Sequence, residues 1–203
     1  MESALREGGR QPGLRLIETV LWDGAAAPRW PVHLARLQSS AGLLGWTCPV
    51  IEPEGPDHPA RLRLTLDGLG QILWETFPLP PAKPEWRVGL ATQKLASGDP
   101  WLRVKSTNRA LYDQTRAALP DGLDEVIFQN QRGEICEGTI TTVFFDRGQG
   151  MRTPPLSSGL LPGVLRAELA CPEELLLAKD LPRVQLWVGN ALRGLIPASF
   201  ILD

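Results

Sequence analysis

Four prolines fall within the nine residues of PLPPAKPEW, positions 78–86. Proline fixes φ and favours extended chain, so this segment is typical of a stiff linker. A chain of 203 residues is long enough for two parts that share an interface. We therefore predict a small N-terminal subdomain over residues 1–80, a linker over 81–86 and a larger C-terminal subdomain over 87–203.

The pattern before the linker predicts a small α+β unit. Residues 14–22, LRLIETVLW, are apolar and strand-like, and Asp23-Gly24 marks a turn after them. Residues 31–46 repeat apolar positions at helical spacing. Residues 60–77 alternate leucines with polar residues around Asp67-Gly68, which predicts a β-hairpin.

The pattern after the linker predicts a strand-rich α/β unit with short helices. Residues 140–145, at the end of EICEGTITTVFFD, are rich in Thr, Val and Phe and predict a strand. Further strands are predicted in WRVGLAT, in DEVIFQN and in the two halves of RVQLWVGNALRGLIPASFILD, and helices in TNRALYDQTRAAL and after Pro162-Gly163. The whole chain is therefore expected to be of the α+β or α/β class.

Charge, cysteine and histidine content argue against several kinds of protein. The net charge is −2 and no basic stripe is present, so nucleic acid is not an expected partner. No apolar run is long enough to cross a bilayer, and the N-terminus lacks an apolar signal core, so a cytoplasmic protein is expected. Three separated cysteines and two histidines, without a Cys-x-x-Cys pair, favour reduced thiols and no metal site: Cys48, Cys136, Cys171, His33 and His58.

Four features could carry chemistry, although each has an ordinary explanation by itself. Lys105 and Arg36 are most simply solvated charges, Glu137 a turn residue, and Gly163 the start of a helix. Together they suit one ligand. Helix-start amides and an arginine bind phosphate, a desolvated lysine forms a Schiff base with an aldehyde, and a carboxylate holds a proton on a ring nitrogen. Phosphate, aldehyde and ring nitrogen together describe pyridoxal 5′-phosphate.

Five segments, in this order, resemble the class IV aminotransferases, which are fold-type IV pyridoxal phosphate enzymes. They are IETVLWDG with HLARLQSSA, VKSTNRALYD, GEICEGTITTVFF, TPPLSSGLLPGVLR and GNALRGLIPA, and they cover roughly residues 14–200. The resemblance implies a two-subdomain fold like that of D-amino acid aminotransferase. Within the family the chain is most similar to 4-amino-4-deoxychorismate lyase, especially the lyase module fused to para-aminobenzoate synthase component I.

The resemblance also implies roles for individual residues. Lys105, on the C-terminal subdomain, would be the Schiff-base residue and general base, and Glu137 would hydrogen-bond the pyridine nitrogen. Gly138 would let the backbone approach the cofactor closely. Thr19 would assist proton transfer. The remaining cofactor contacts are implied at Arg36, at the backbone amides of Val164 and Leu165, and at Asn190 and Ala191.

The resulting hypothesis is a lyase that converts 4-amino-4-deoxychorismate to p-aminobenzoate and pyruvate. One alternative is an aminotransferase for a branched-chain or D-amino acid, and another is a catalytically weak cofactor-binding module that serves a synthase. Departures at Leu21, Val104 and Leu165 from residues common in relatives affect substrate choice more than cofactor binding. The resemblance implies a homodimer acting on a small molecule, and a para-aminobenzoate synthase component as a further partner.

Overall fold

The computed structural model describes residues 2–202, with side chains from residue 4 onward. Contacts divide the chain into two compact units. The first unit is Met1–Pro81 with Arg103–Asn108, and the second unit is Ala82–Leu102 with Arg109–Asp203. The subdomain boundaries made from the sequence stay a prediction, and this grouping differs from them in one respect. The segment that carries Lys105 groups with the first unit, because it pairs with a strand of that unit.

The first unit is a three-stranded antiparallel sheet with two helices. The helices are α1 (Glu2–Gly8), which the sequence did not predict, and α2 (Trp30–Leu44). The strands are β1 (Arg15–Asp23), β2 (Pro59–Asp67) and β3 (Ile72–Phe77), in the order β1-β2-β3. The predicted strand, helix and hairpin are all present. Leu62, Leu64 and Leu66 are buried, as the alternation along β2 requires.

Helix α2 has clear start and stop signals. Pro31 lies in its first turn, where a missing N–H costs no helical hydrogen bond. Gly45 ends it in the left-handed region at φ 74° and donates its N–H back to the last turn. The buried side chains repeat at spacings of three and four, and they are Trp30, His33, Leu37, Ser40, Ala41 and Leu44. Helix α2 packs this face against β1.

The second unit is built on a closed six-stranded barrel in the order β4-β5-β6-β7-β8-β9. Strand β4 pairs in parallel with β5 and β9, and all other pairs are antiparallel. The strands are β4 (Trp86–Leu95), β5 (Glu125–Asn130), β6 (Ile135–Gly138), β7 (Thr142–Asp146), β8 (Gln185–Asn190) and β9 (Gly194–Phe200). The helices of this unit are α3 (Ala110–Ala117) and α4 (Val164–Leu169).

Three 3₁₀ helices complete the described structure, at Pro100–Arg103, Leu156–Ser158 and Ala178–Arg183. No helix within residues 2–202 has the length and apolar character that crossing a bilayer requires.

Strand β5 is buried on both faces, and it separates the two apolar clusters of the second unit. Ile127 belongs to one cluster with Val143 and Val188. Phe128 belongs to the other with Leu160. Successive side chains of a strand point to opposite faces, so a run such as VIF is buried throughout only when both faces are covered.

One strand boundary predicted from the sequence was wrong. Ile140 and Thr141 do not begin a strand but form a turn, and β7 starts at Thr142. Glu137 consequently lies inside a strand of its own, β6, rather than before one. The turn forms because the buried carboxylate of Glu125 accepts hydrogen bonds from the Thr139 and Thr141 hydroxyls and from the Ile140 amide. Local β propensity carries no information about this long-range partner.

Candidate active site

Lys105 lies in a segment that extends the sheet of the first unit. The Ile17 amide donates to the Lys105 carbonyl at 2.8 Å, and the Thr107 amide donates to the Arg15 carbonyl at 2.8 Å. The neighbours Val104 and Ser106 are buried, whereas Lys105 is half-buried. Alternation along an extended segment places the lysine side chain opposite those of its two neighbours. The backbone of Lys105 is thus held by β1.

Thr19 lies on the same strand, two residues after Ile17, and is half-buried. The period of two along a strand puts Ile17 and Thr19 on one face of β1 and Glu18 on the other. Glu18 is only 1% exposed. The two faces of β1 therefore serve different purposes, with Glu18 directed into the packing against α2.

Arg36 is held by a buried carboxylate that the sequence analysis missed. Its Nε donates to Glu18 Oε1 at 2.9 Å and an Nη donates to Glu18 Oε2 at 2.5 Å. His33 Nδ1 lies 2.6 Å from the same Oε2. All three side chains are buried or nearly so. The available signal was a lone acid at a core-facing position of an apolar strand, since a buried Glu requires a partner.

The electrostatics of this group favour an ionised Glu18. Burial would raise the pKa of its carboxyl, but Arg36 and the hydrogen bond with His33 outweigh burial and lower the pKa from 4.5 to about 2. The bidentate pair fixes the plane of the guanidinium. Arg36 is therefore oriented by β1 as well as by its own helix.

Glu137 lies in β6 of the second unit, opposite Thr142 of β7, and it is 7% exposed. The Tyr112 hydroxyl donates to its Oε1 at 2.7 Å. Sequence reasoning missed this tyrosine. The signal was its position seven residues after Lys105 in the same motif, and the chain contains one tyrosine only.

The turn that follows Glu137 is tied down from three sides. Glu125 accepts hydrogen bonds from two threonine hydroxyls and one amide of this turn. Arg109 donates to the Thr139 carbonyl at 3.0 Å, and Asn190 Nδ2 donates to the Ile140 carbonyl at 3.1 Å. A Cβ added to Gly138 would lie 2.3 Å from the Thr141 Oγ1. Packing within the protein therefore leaves no room for a side chain at Gly138.

Helix α4 begins beside the start of β7. Gly163 is its N-cap, and within the described residues no side chain caps this end. A Cβ on Gly163 would lie 2.6 Å from Thr142 Oγ1. Val164 and Leu165 follow and are both buried. The first backbone amides of α4 are therefore held close to β7 by the absence of a side chain at Gly163.

Asn190 stabilises the turn between β8 and β9. Its Oδ1 accepts hydrogen bonds from the amides of Leu192 and Arg193. Gly189, just before it, pairs with Thr142, and a Cβ there would lie 2.7 Å from a Leu165 methyl. The side chain of Asn190 is thus engaged in the turn, and Ala191 beside it is 7% exposed.

The second unit therefore brings three of the predicted segments together around Thr142. These are the β6 segment with Glu137, the start of α4, and the end of β8. A buried carboxylate can accept from a protonated ring nitrogen, and backbone amides beside glycines can donate to a phosphate. This donor and acceptor set fits pyridoxal 5′-phosphate. The other two predicted side chains, Lys105 and Arg36, lie in the first unit.

A cavity of about 580 Å³ lies elsewhere within the first unit. It is lined by α1, the end of α2 and the β2–β3 turn, and its lining includes Arg6, Arg10 and Trp46. None of the site residues predicted from the sequence line this cavity. The candidate site is therefore defined by the side chains described above and not by this volume.

Comparison with known sequences points to one family. A family model described as amino-transferase class IV matches residues 15–201. A Schizosaccharomyces pombe protein provisionally assigned as an aminodeoxychorismate lyase is 30% identical over 167 residues. The match covers 76% of this chain and 72% of that protein.

Solved structures share the fold. A provisionally assigned amino-acid aminotransferase from Mesorhizobium loti is 41% identical and has a TM-score of 0.86. The match covers 93% of this chain and 100% of that chain. A hypothetical aminotransferase from Mycobacterium tuberculosis, in a pyridoxal phosphate-bound form, is 22% identical with a TM-score of 0.75. That match covers 92% of this chain and 81% of that chain.

Proposed function

Because the chain belongs to the class IV aminotransferase family of pyridoxal phosphate-dependent enzymes, we propose that it is a lyase that converts 4-amino-4-deoxychorismate to p-aminobenzoate and pyruvate. The observation that carries the choice of reaction is the similarity to the S. pombe protein that is provisionally assigned as an aminodeoxychorismate lyase. The KSTNRALYD, EGTITTVFF and GNALRGLIPA segments, which resemble the lyase, support the same choice.

Pyridoxal 5′-phosphate is the proposed cofactor, and Lys105 would hold it covalently. Glu137 accepts a hydrogen bond from the protonated ring nitrogen. The phosphate is bound by Arg36, by the amides of Val164 and Leu165, and by the turn at Asn190 and Ala191. The Asn190 side chain is engaged in its own turn, so the backbone of this turn provides the contact. When bound, the cofactor supplies an electron sink for the carbanion formed next to nitrogen.

The proposed proton transfers use the residues of this chain. With the substrate bound, the free amine of Lys105 would remove the proton from the substrate carbon that bears nitrogen. The carbon–oxygen bond to the enolpyruvyl group breaks, the ring becomes aromatic, and the released enol takes up a proton to give pyruvate. The Thr19 hydroxyl assists these proton transfers. Glu137 keeps its partner nitrogen protonated throughout.

An aminotransferase is the second candidate, and one observation favours it specifically. The M. loti protein, provisionally assigned as an amino-acid aminotransferase, is 41% identical and is matched along its whole length. Both reactions begin with removal of the same proton by Lys105. They differ afterwards, since a lyase eliminates a leaving group whereas an aminotransferase returns the proton at another carbon.

The deciding experiment measures pyruvate and p-aminobenzoate released from 4-amino-4-deoxychorismate, with Lys105→Ala as the control. We expect both products from the wild-type protein and neither from the variant. Wild-type protein that shows the absorbance of bound cofactor but releases no pyruvate would exclude the lyase. A screen of amino donors, with branched-chain and D-amino acids first, would then test the aminotransferase.

The resemblance also supports a cytoplasmic homodimer, with a para-aminobenzoate synthase component as the partner that makes the substrate. Each chain has a mass of 22.3 kDa. Sedimentation equilibrium that gives twice this mass would support the homodimer, and a single-chain mass at micromolar concentration would contradict it.

A further inference from the structure

Tyr112 is the one tyrosine of the chain, and its hydroxyl is bonded to a proposed cofactor ligand. The hydroxyl donates to Glu137 Oε1 at 2.7 Å. Helix α3 carries Tyr112, and β6 carries Glu137. A buried carboxylate without such a donor would have more freedom to rotate about its terminal bond. The hydrogen bond selects one orientation of the carboxylate.

The tyrosine ring is itself held in place on both sides. It packs edge-on against Phe128, with ring centroids 5.1 Å apart and an interplanar angle of 62°. The Arg109 guanidinium lies over the ring, 5.5 Å from its centroid. Arg109 is in turn fixed by Asp113 at 2.8 Å and by the Thr139 carbonyl. The hydroxyl is therefore presented from a fixed position.

The hydroxyl acts as a donor and not as an acid. Burial raises the pKa of Tyr112 above its ordinary value, and the charge of Glu137 beside it raises the pKa further. A neutral phenol has one O–H to donate. The proton between the two groups consequently stays on the tyrosine.

We propose that Tyr112 is a positioning residue that orients the Glu137 carboxylate toward the ring nitrogen of the cofactor. This inference rests on the proposed role of Glu137. With one carboxylate oxygen held by the phenol, rotation of the carboxylate is restricted before the cofactor binds. The hydrogen bond to the ring nitrogen then forms without further loss of side-chain freedom.

Two substitutions separate orientation from packing. Tyr112→Phe removes only the hydroxyl and keeps the ring against Phe128, whereas Tyr112→Leu removes both. A hydrogen bond to a charged group contributes about 1.5–3 kcal/mol, which corresponds to a roughly 10- to 160-fold loss. We expect kcat to fall by about that factor in both variants of the holoenzyme, with KM unchanged. Tyr112→Leu is expected to lower the melting temperature more than Tyr112→Phe, because it removes the ring contact with Phe128 as well as the hydrogen bond.

The opposite pattern would overturn the proposal. If Tyr112→Phe retains wild-type kcat while Tyr112→Leu is slow and unstable, then the tyrosine serves packing alone. Glu137→Ala is measured in parallel, because it tests the proposed function separately. If Glu137→Ala is also fully active, then Glu137 does not bind the ring nitrogen. The proposed role of Tyr112 is then wrong as well.

A measurement on the cofactor-free protein tests the contact without any turnover. Tyrosine labelled only at the ring carbon that bears the hydroxyl gives a single NMR resonance, since the chain has one tyrosine. We expect this resonance to shift in Glu137→Gln and to shift again when wild-type protein binds pyridoxal phosphate. A resonance unchanged by Glu137→Gln would show that the two groups are not bonded and would overturn the inference.

Discussion

At the scale of single residues, this protein uses buried carboxylates to hold functional side chains and turns. Glu18 orients Arg36, Glu125 shapes the turn after β6, and Glu137 is itself held by Tyr112. Each of the three has partners that offset the cost of removing its charge from water. Removing one member of such a group leaves the others buried with fewer partners.

The first prediction concerns Glu18. Glu18→Gln removes the negative partner of a nearly buried guanidinium, so we expect the free energy of unfolding to fall by roughly 3 kcal/mol. The matched control is Glu75→Gln, because Glu75 pairs with Arg63 where both side chains are more than a third exposed. The control should change the free energy of unfolding by less than about 1 kcal/mol. Urea titrations at neutral pH measure both.

The second prediction concerns pH and the same residue. The folded pKa of Glu18 is about 2, below its ordinary value of 4.5. A lowered folded pKa means that the stabilisation is fully present above pH 4.5 and is lost as pH falls toward 2. Urea titrations across this range should show wild-type stability falling more steeply than that of Glu18→Gln. Parallel curves for the two proteins would contradict the assigned ionisation.

At the scale of secondary-structure elements, glycines decide how closely segments approach. Gly138, Gly163 and Gly189 each lie where an added Cβ would come within 3 Å of a neighbouring atom. All three border the group of segments around Thr142. Gly42, in contrast, lies on the exposed side of α2 and has no atom within 4 Å of such a Cβ.

The third prediction compares two of these glycines. Gly138→Ala should lower the free energy of unfolding by about 1–3 kcal/mol, because the Cβ overlaps Thr141 and Glu125. Gly42→Ala should raise the free energy of unfolding by about 0.5–1 kcal/mol, because alanine is more favourable than glycine inside a helix. Chemical denaturation of the two variants gives opposite signs if this account is correct. Destabilisation by Gly42→Ala would show that α2 is more closely packed there than described.

At the scale of the whole molecule, residues proposed to bind the cofactor occur in each of the two units. The first unit contains Lys105 and Arg36, and the second contains Glu137 and the start of α4. In the second unit, a closed barrel leaves no free strand edge between β4 and β9, so the segments around Thr142 are anchored on a rigid base. A ligand that binds the folded chain but not the unfolded chain stabilises the folded state by mass action.

The fourth prediction follows from this linkage. Pyridoxal phosphate at a hundred times its dissociation constant should stabilise the chain by about 2.7 kcal/mol, measured as a rise in melting temperature. Pyridoxal, which lacks the phosphate, should give a smaller rise at equal concentration. Lys105→Ala should reduce the rise, because the covalent link is lost. Equal rises for pyridoxal and pyridoxal phosphate would contradict the assigned phosphate contacts.

The sequence by itself determined most of the elements and the family. An apolar, strand-like run predicted β1, alternation predicted the β2–β3 hairpin and helical spacing predicted α2. The five ordered segments identified a class IV aminotransferase, which the family match over residues 15–201 confirms. These are properties of neighbouring residues and of short motifs, so they can be read along the chain.

Only the tertiary structure decided which side chains position the residues that are proposed to bind the cofactor. The pairs Glu18–Arg36 and Tyr112–Glu137 join residues 18 and 25 positions apart. The turn at Ile140 depends on Glu125, and the grouping of Lys105 with the first unit depends on its pairing with β1. Such contacts arise when separate elements pack together, and no local pattern specifies a partner that lies on another element.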